Sequence, residues 1–307
     1  MVEGRFACAE GPEELPGNSP ATHHRTPPRT MPMEIFANHA HVFPEDVRQA
    51  GSIESLLRLM DECGIARAAC FAPHRKNTID AGYPEPNAWL AEAIADEPRL
   101  VGFACIRCVD DDAIARLEAA VEMGLCGCKI HPASDRFDIL DEAAMDFYAA
   151  AEELGVVLDF HTGPHWYRIK HYHPLGFDEI CFRFPKLKMV FEHIGGYPFY
   201  HDMLAVLGNN LPFGRPGHLF GGVSSILNRE LQRLWYLGIE TVGDAIFRLG
   251  EDMPIYGLDF PYNEVELIQD DLRQLRTLDL SEEGFAKLFG GNLERAINLH
   301  PGAEQPQ

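Results

Sequence analysis

No apolar run reaches the roughly 18–20 residues that cross a bilayer, so no membrane span is expected. Basic charge is also scarce: 26 Lys and Arg stand against 47 Asp and Glu, a formal charge of −21. So acidic a chain suits neither nucleic acid nor an anionic membrane surface, although local pocket charge still allows a small acidic substrate. The Gly-x-Gly-x-x-Gly loop of a dinucleotide-binding fold is missing. Cys105-Ile-Arg-Cys108 has redox spacing but no second pair at zinc-ribbon spacing, and it ends a predicted strand instead of opening a helix. The eight cysteines are scattered, several of them in apolar runs. That is the pattern of reduced, buried thiols in a cytoplasmic protein.

The chain has 307 residues, 46% of them apolar, enough for one large α/β domain or two small ones. Residues 1 to 32 form a separate zone with Gly11-Pro12, Pro16-Gly17 and Pro27-Pro28 and little apolar periodicity. A disordered tail is expected there, or a misplaced start, with Met31 or Met33 as the first residue. No uninterrupted apolar core of signal-peptide type is present in it. From residue 33 to 300, short β-like runs alternate with helix-like runs, and residues 301–307 read as a C-terminal tail.

The predicted strands are Glu34–Asn38, Ala66–Ala72, Leu100–Ile106, Cys126–Ile130, Val156–Phe160, Lys188–Glu192, Leu219–Val223 and Ile255–Leu258. Between them the spacing predicts helices, among them Glu142–Leu154, one around Tyr200–Leu207 and a helical region over Asn228–Leu249. Ser281-Glu282-Glu283 reads as a helix start. Eight β/α units in about 270 residues match a (β/α)₈ (TIM) barrel as a single domain. A doubly wound sheet would want a phosphate loop after the first strand, and His39-Ala40-His41 stands there instead.

Barrel active sites form at the C-terminal ends of the strands. His39 and His41 follow strand one, Lys129-Ile130-His131 strand four, His161-Thr162-Gly163 strand five, His193-Ile194-Gly195-Gly196 strand six and Asp259-Phe260-Pro261 strand eight. Residues two apart on a strand share a face, so His39 and His41 are placed to chelate one divalent ion, or are two unrelated edge histidines. Imidazoles with a carboxylate suit zinc, and manganese or iron fit as well. Such an ion lowers the pKa of bound water, a carboxylate beside it takes the proton, and a further histidine polarises a carbonyl. Lys129 reads as substrate-facing or salt-bridged; His131 reaches the pocket or braces its loop. The long segment from Pro164 through His165, Trp166, Tyr167 and Arg168 is aromatic and basic, suited to an organic acid, or is a packed surface loop.

In order and spacing these pieces resemble the amidohydrolase superfamily, in its amidohydrolase-related (amidohydrolase 2) branch. The resemblance rests on Asn38-His39-Ala40-His41, Gly127-Cys128-Lys129-Ile130-His131-Pro132, His161-Thr162-Gly163, His193-Ile194-Gly195-Gly196, Gly257-Leu258-Asp259-Phe260-Pro261 and the ending Gly291-Asn292-Leu293-Glu294-Arg295. It implies that His39, His41 and His161 hold a metal with Asp259, which also shuttles the proton. It implies that His193 is a ligand or a catalytic histidine facing the substrate. Asn38 departs from the pattern, since many members carry aspartate there, and other branches of the superfamily make a carboxylated lysine bridging two metals an alternative for Lys129. The expected activity is metal-dependent hydrolysis of an amide, ester or lactone in a small, anionic substrate. Lys129, His131, His165 and Trp166 are the expected substrate contacts. The alternative is non-oxidative decarboxylation of an aromatic or unsaturated acid on the same site. The expected partner is a small molecule, with self-association into a homo-oligomer left open.

Overall fold

In a computed structural model describing residues 34–212 and 217–297, eight parallel strands close into a barrel in chain order. They are β1 Phe36–His41, β2 Arg67–Phe71, β3 Leu100–Cys105, β4 Gly127–Ile130, β5 Val157–His161, β6 Met189–Glu192, β7 Leu219–Val223 and β8 Pro254–Phe260. Helices connect them, so the (β/α)₈ barrel expected from the sequence is the observed fold. The readings for residues 1–32 and 301–307 lie outside the described residues. Among the described residues, no helix is long and apolar enough to cross a membrane.

Local chemistry sets the helix ends. The hydroxyl of Ser52 accepts the Ser55 N–H at 3.1 Å and opens helix Ile53–Cys63, which buries Leu56, Leu59 and Met60. Gly64, at φ +68°, closes it in the left-handed conformation that glycine adopts without steric cost. Asp141 caps helix Glu142–Leu154, and Gly155 ends it, at the expected boundaries.

Two segments differ from expectation. β1 runs on to His41 instead of stopping at Asn38, so the histidine pair belongs to the strand itself. Of the region Asn228–Leu249, only Ile239–Leu249 is helical. Ahead of it the Asn228 side chain accepts the N–H groups of Glu230 and Leu231 at 3.1 and 3.0 Å, a local turn that competes with helix. Helix Gly196–Asn210 is longer than expected at both ends.

The main core lies between the barrel and its helices. A second apolar cluster fills the barrel near the strand starts, with Phe36, Val157, Val190, Phe220 and Ile255 meeting Leu293, Ala296 and Ile297 of the last helix, Asn292–Ile297. That helix plugs the N-terminal end. Asn292 donates to the carbonyls of Glu251 and Pro254 at 2.9 and 2.8 Å. Arg295 donates to the carbonyls of Asp252 and Gly217 and lies over the Phe220 ring. The Gly-Asn-x-x-Arg ending is thus a structural plug at the end opposite the strand-end histidines.

Candidate active site

Strict alternation would send Asn38 and His39 to opposite faces of β1. The register slips instead, between Ala37 and Ala40 against β2 and between Asn38 and Ala40 against β8. His39 takes φ +62° at this bulge. Both side chains therefore reach the barrel interior, and His41 follows: His39 Nε2 and His41 Nε2 come within 3.1 Å. Asp259 Oδ1 from β8 completes the trio, 3.4 Å from His39 Nε2 and 3.9 Å from His41 Nε2.

These spacings fit a divalent ion. Bonds of about 2.0–2.1 Å in a tetrahedral site put ligand atoms about 3.3 Å apart. The donor chemistry fits as well. His39 Nδ1 meets Glu192 Oε2 at 2.8 Å, which places the proton on Nδ1 and leaves a lone pair on Nε2. Burial lowers the pKa of His39, helped by Lys129, and that of His41, helped by His39, so both rings stay neutral as a metal requires. Asp259 Oδ2 accepts from the Ser225 hydroxyl at 2.5 Å, which orients the carboxylate.

His161 is buried on β5, and its Nε2 has no hydrogen-bond partner. Its ring stacks on His131 at 4.0 Å between centroids, with His165 5.4 Å away. The ligand-type atoms of His131, His161 and His165 gather within 4.8 Å of one another, a group apart from the His39–His41–Asp259 trio. His193 links the two groups, 4.9 Å from the His161 ring and 5.2 Å from that of His39. Burial lowers the pKa of His131, His161 and His165, seconded by His74, His131 and His193 respectively.

Hydrogen bonds fix two more tautomers. His193 Nδ1 lies 2.8 Å from the Ser224 carbonyl and must donate to it, so neutral His193 keeps a lone pair on Nε2. His131 Nδ1 accepts the Ser134 backbone N–H at 3.3 Å, so neutral His131 carries its proton on Nε2.

Beneath the histidines lies a polar belt. Lys129 Nζ meets Asp159 Oδ1 at 2.6 Å. Asn38 Nδ2 donates to Asp159 Oδ2 and Glu192 Oε1, both at 2.7 Å. Ser224 donates to Glu192 Oε2 at 2.7 Å. The neutral amide matters, because an aspartate at position 38 would put a third carboxylate between two. Burial raises Asp159 to about 7, opposed by Lys129 and reinforced by Glu192.

A cavity of about 570 Å³ opens above, lined by His39, His41, His131, His161, His165, Trp166, His193 and Asp259 among others. Eight of the nine predicted site residues thus share one cavity wall. Lys129 does not; it is buried in the belt against Asp159. Trp166 sits at the mouth, 87% exposed. Five of the seven described non-glycine residues with left-handed φ line this cavity: His39, Trp166, His193, Ser225 and Asp259. Such strain costs on the order of 1–3 kcal/mol per residue and gathers where function over-determines geometry. Gly163 and Gly196 take φ +110° and +61°, a conformation that strains any other residue, and a Cβ on either would also crowd Trp235 at 3.0–3.2 Å.

Sequence reasoning noted Asn38 only as a departure from the family pattern and missed Glu192, Ser224 and Ser225 as orienting groups. Glu192 precedes His193 and carried a signal, a carboxylate at the end of a strand. The serines follow β7 and carried none.

An eight-stranded barrel with a His-x-His pair on β1 and an aspartate on β8 at its C-terminal mouth defines a class, barrel enzymes with a site of metal-ligand type. Within it the chain belongs to the amidohydrolase family, whose model matches residues 36–299. A search of curated proteins by sequence finds no match. Among solved structures, 5-carboxyvanillate decarboxylase from Sphingomonas paucimobilis is similar at TM-score 0.65 and 16% identity, over 86% of this chain and 99% of that one. A dihydroxybenzoic acid decarboxylase from Polaromonas sp. JS666, with manganese and 2-nitroresorcinol bound, reaches 0.62 and 18%, over 87% and 97%. A protein described as a probable 2-pyrone-4,6-dicarboxylic acid hydrolase from Acinetobacter baumannii, with citric acid bound, reaches 0.60 and 17%, over 86% and 99%. At these identities the likeness is one of fold.

Proposed function

We propose that the chain is a metal-dependent hydrolase that opens a carbonyl bond, amide, ester or lactone, in a small anionic substrate. The observation that carries this is the trio His39 Nε2, His41 Nε2 and Asp259 Oδ1, with His39 held from behind by Glu192. The buried, unpartnered Nε2 of His161 is free to serve as a ligand atom, although it gathers with His131 and His165 and not with the trio. When bound, a divalent ion, zinc by ligand type or manganese, supplies Lewis acidity and brings water toward ionisation at neutral pH. Asp259, steadied by Ser225, accepts the proton of the attacking water and returns it to the leaving group. His131 presents Nε2–H to the substrate and is the neutral donor for a developing oxyanion. His193 presents a lone pair, so it takes up a proton before it can polarise a carbonyl. Lys129 acts from below, through Asp159, and not on the substrate. The buried thiols suit the reducing cytoplasm as the compartment.

One observation favours decarboxylation of an aromatic acid as a second reading. The upper cavity wall carries Phe43, Trp166, Trp235 and Tyr262, surfaces on which a planar ring stacks. The assay that separates the two offers the metal-loaded protein lactones, amides and aromatic acids while following acid release and carbon dioxide. Acid release from a lactone or amide, abolished in Asp259→Asn, is the expected result. Carbon dioxide evolution without hydrolysis of any panel member would replace the first reading by the second.

A further inference from the structure

A second cavity, of about 420 Å³, lies beside the reaction cavity and shares His74 as a wall. Its lining includes Arg75, Lys76, Arg107 and Arg116, with Asp110 and Asp135 as its acids. In a chain carrying 26 basic residues against 47 acidic ones, four basic side chains around one cavity is a local reversal of sign. His74 adds to it. Burial works against its charge, but Cys105 and Asp135, the latter 3.2 Å away, outweigh burial and push its pKa up to about 10.

Most of these cations have contact partners. Lys76 meets Asp135 at 3.0 Å, Arg107 meets Asp110 at 2.6 Å and Arg75 meets Glu85 at 3.2 Å. Arg116 differs. Its side chain is only 11% exposed and comes no nearer than 4.0 Å to Glu85. Its Nε and Nη2 are buried and have no hydrogen-bond partner. Two of its three nitrogens have lost water and gained only that long approach to Glu85, which leaves Nη1 to take a bound anion that relieves the charge. Its planar donor array matches a carboxylate or phosphate edge.

We propose that this cavity is an oxyanion site, taking a carboxylate or phosphate group on Arg116 with Arg107 and Lys76 around it. It stands apart from the His39–His41–Asp259 trio. The oxyanion is either the distal acid of the substrate or a free anion, and both sources present the same chemistry. The site does not depend on which reaction the trio performs, because its test reads binding.

The test is calorimetric titration of inorganic phosphate into the purified, metal-loaded protein. Wild type and a His39→Ala/His41→Ala variant should bind alike, while Arg116→Gln should bind at least tenfold more weakly. Phosphate binding that survives in Arg116→Gln, or that vanishes with the two histidines, would overturn the proposal. If Arg116→Gln does not fold, Arg107→Gln, on a half-exposed side chain, should weaken binding severalfold, and unchanged affinity there counts against the site. With a substrate in hand the source separates. Competition by phosphate together with a raised KM in Arg116→Gln marks the substrate's own acid. A phosphate effect on kcat without competition marks a free anion.

Discussion

The polar belt inside the barrel and the histidine ring above it come from the same strands but treat their polar atoms differently. In the belt, Lys129, Asp159, Asn38, Glu192 and Ser224 are joined by contacts of 2.6–2.7 Å, and Asn38 Oδ1 alone among their side-chain polar atoms is buried and unpartnered. In the ring, His161 Nε2 and His165 Nδ1 are buried without partners, and the nitrogens of His39 and His41 face one another and a carboxylate. An orphaned buried polar group costs about 1–3 kcal/mol. The comparison separates orientation from chemistry. The belt fixes tautomers and register, and the ring holds lone pairs ready for a ligand. The largest effect should come from removing those lone pairs. His39→Ala/His41→Ala should take metal content from about one ion per chain to under about a tenth, by elemental analysis, with turnover falling at least about 10³-fold. Undiminished metal in that variant would move the site elsewhere.

Damage to the belt should appear in stability before it appears in chemistry. Lys129→Met strands Asp159 and should cost about 3–5 kcal/mol in urea unfolding. Adding Asp159→Asn should recover much of that loss, since the pair is then gone together. A cost below about 1 kcal/mol would mean that water reaches the belt and that the two layers are not distinct. Glu192→Gln lies on the border, because it touches both the belt and His39 Nδ1. It should loosen metal about 10–100-fold in a competitive chelator titration while unfolding stays cooperative.

The border is also where the sequence stops being legible. Strand-end polar residues alternating with apolar runs exposed the barrel, because the period of two and the chain order both survive folding. The strand Leu219–Val223 and the helix Glu142–Leu154 lie at their expected limits for that reason. The candidate ligands on β1, β5 and β8 were readable as residue types. The bulge at His39 was not. It depends on a left-handed φ in a histidine and on slipped registers with two neighbours, which no local pattern encodes. Ser224 and Ser225 were invisible because their roles come from β7 lying between β6 and β8, a tertiary fact. The segment 228–237 misled because its apolar residues have a helical look. Leu231 and Gln232 instead line the cavity, and Asn228 supplies the turn.

An unpartnered polar atom marks chemistry only where several converge, and Asp271 sharpens that condition. It is buried on helix Val265–Leu275, with Oδ1 unpartnered and the Tyr256 hydroxyl likewise, and neither residue lines the reaction cavity. Burial, reinforced by Asp270, raises its pKa from 3.8 to about 7. A carboxyl raised on folding favours the native state while protonated. Its contribution is full below about pH 4 and is lost as pH rises through 7. Asp271→Asn should therefore leave stability at pH 4 unchanged. At pH 8 it should gain about 2 kcal/mol, roughly half of what a three-unit shift converts to, since partial solvation softens the penalty. Turnover should not change, because Asp271 does not line the reaction cavity. A variant that lost metal or activity would extend the ring's chemistry to a place where only a solitary buried acid is found, and the distinction between convergent and isolated orphans would fail.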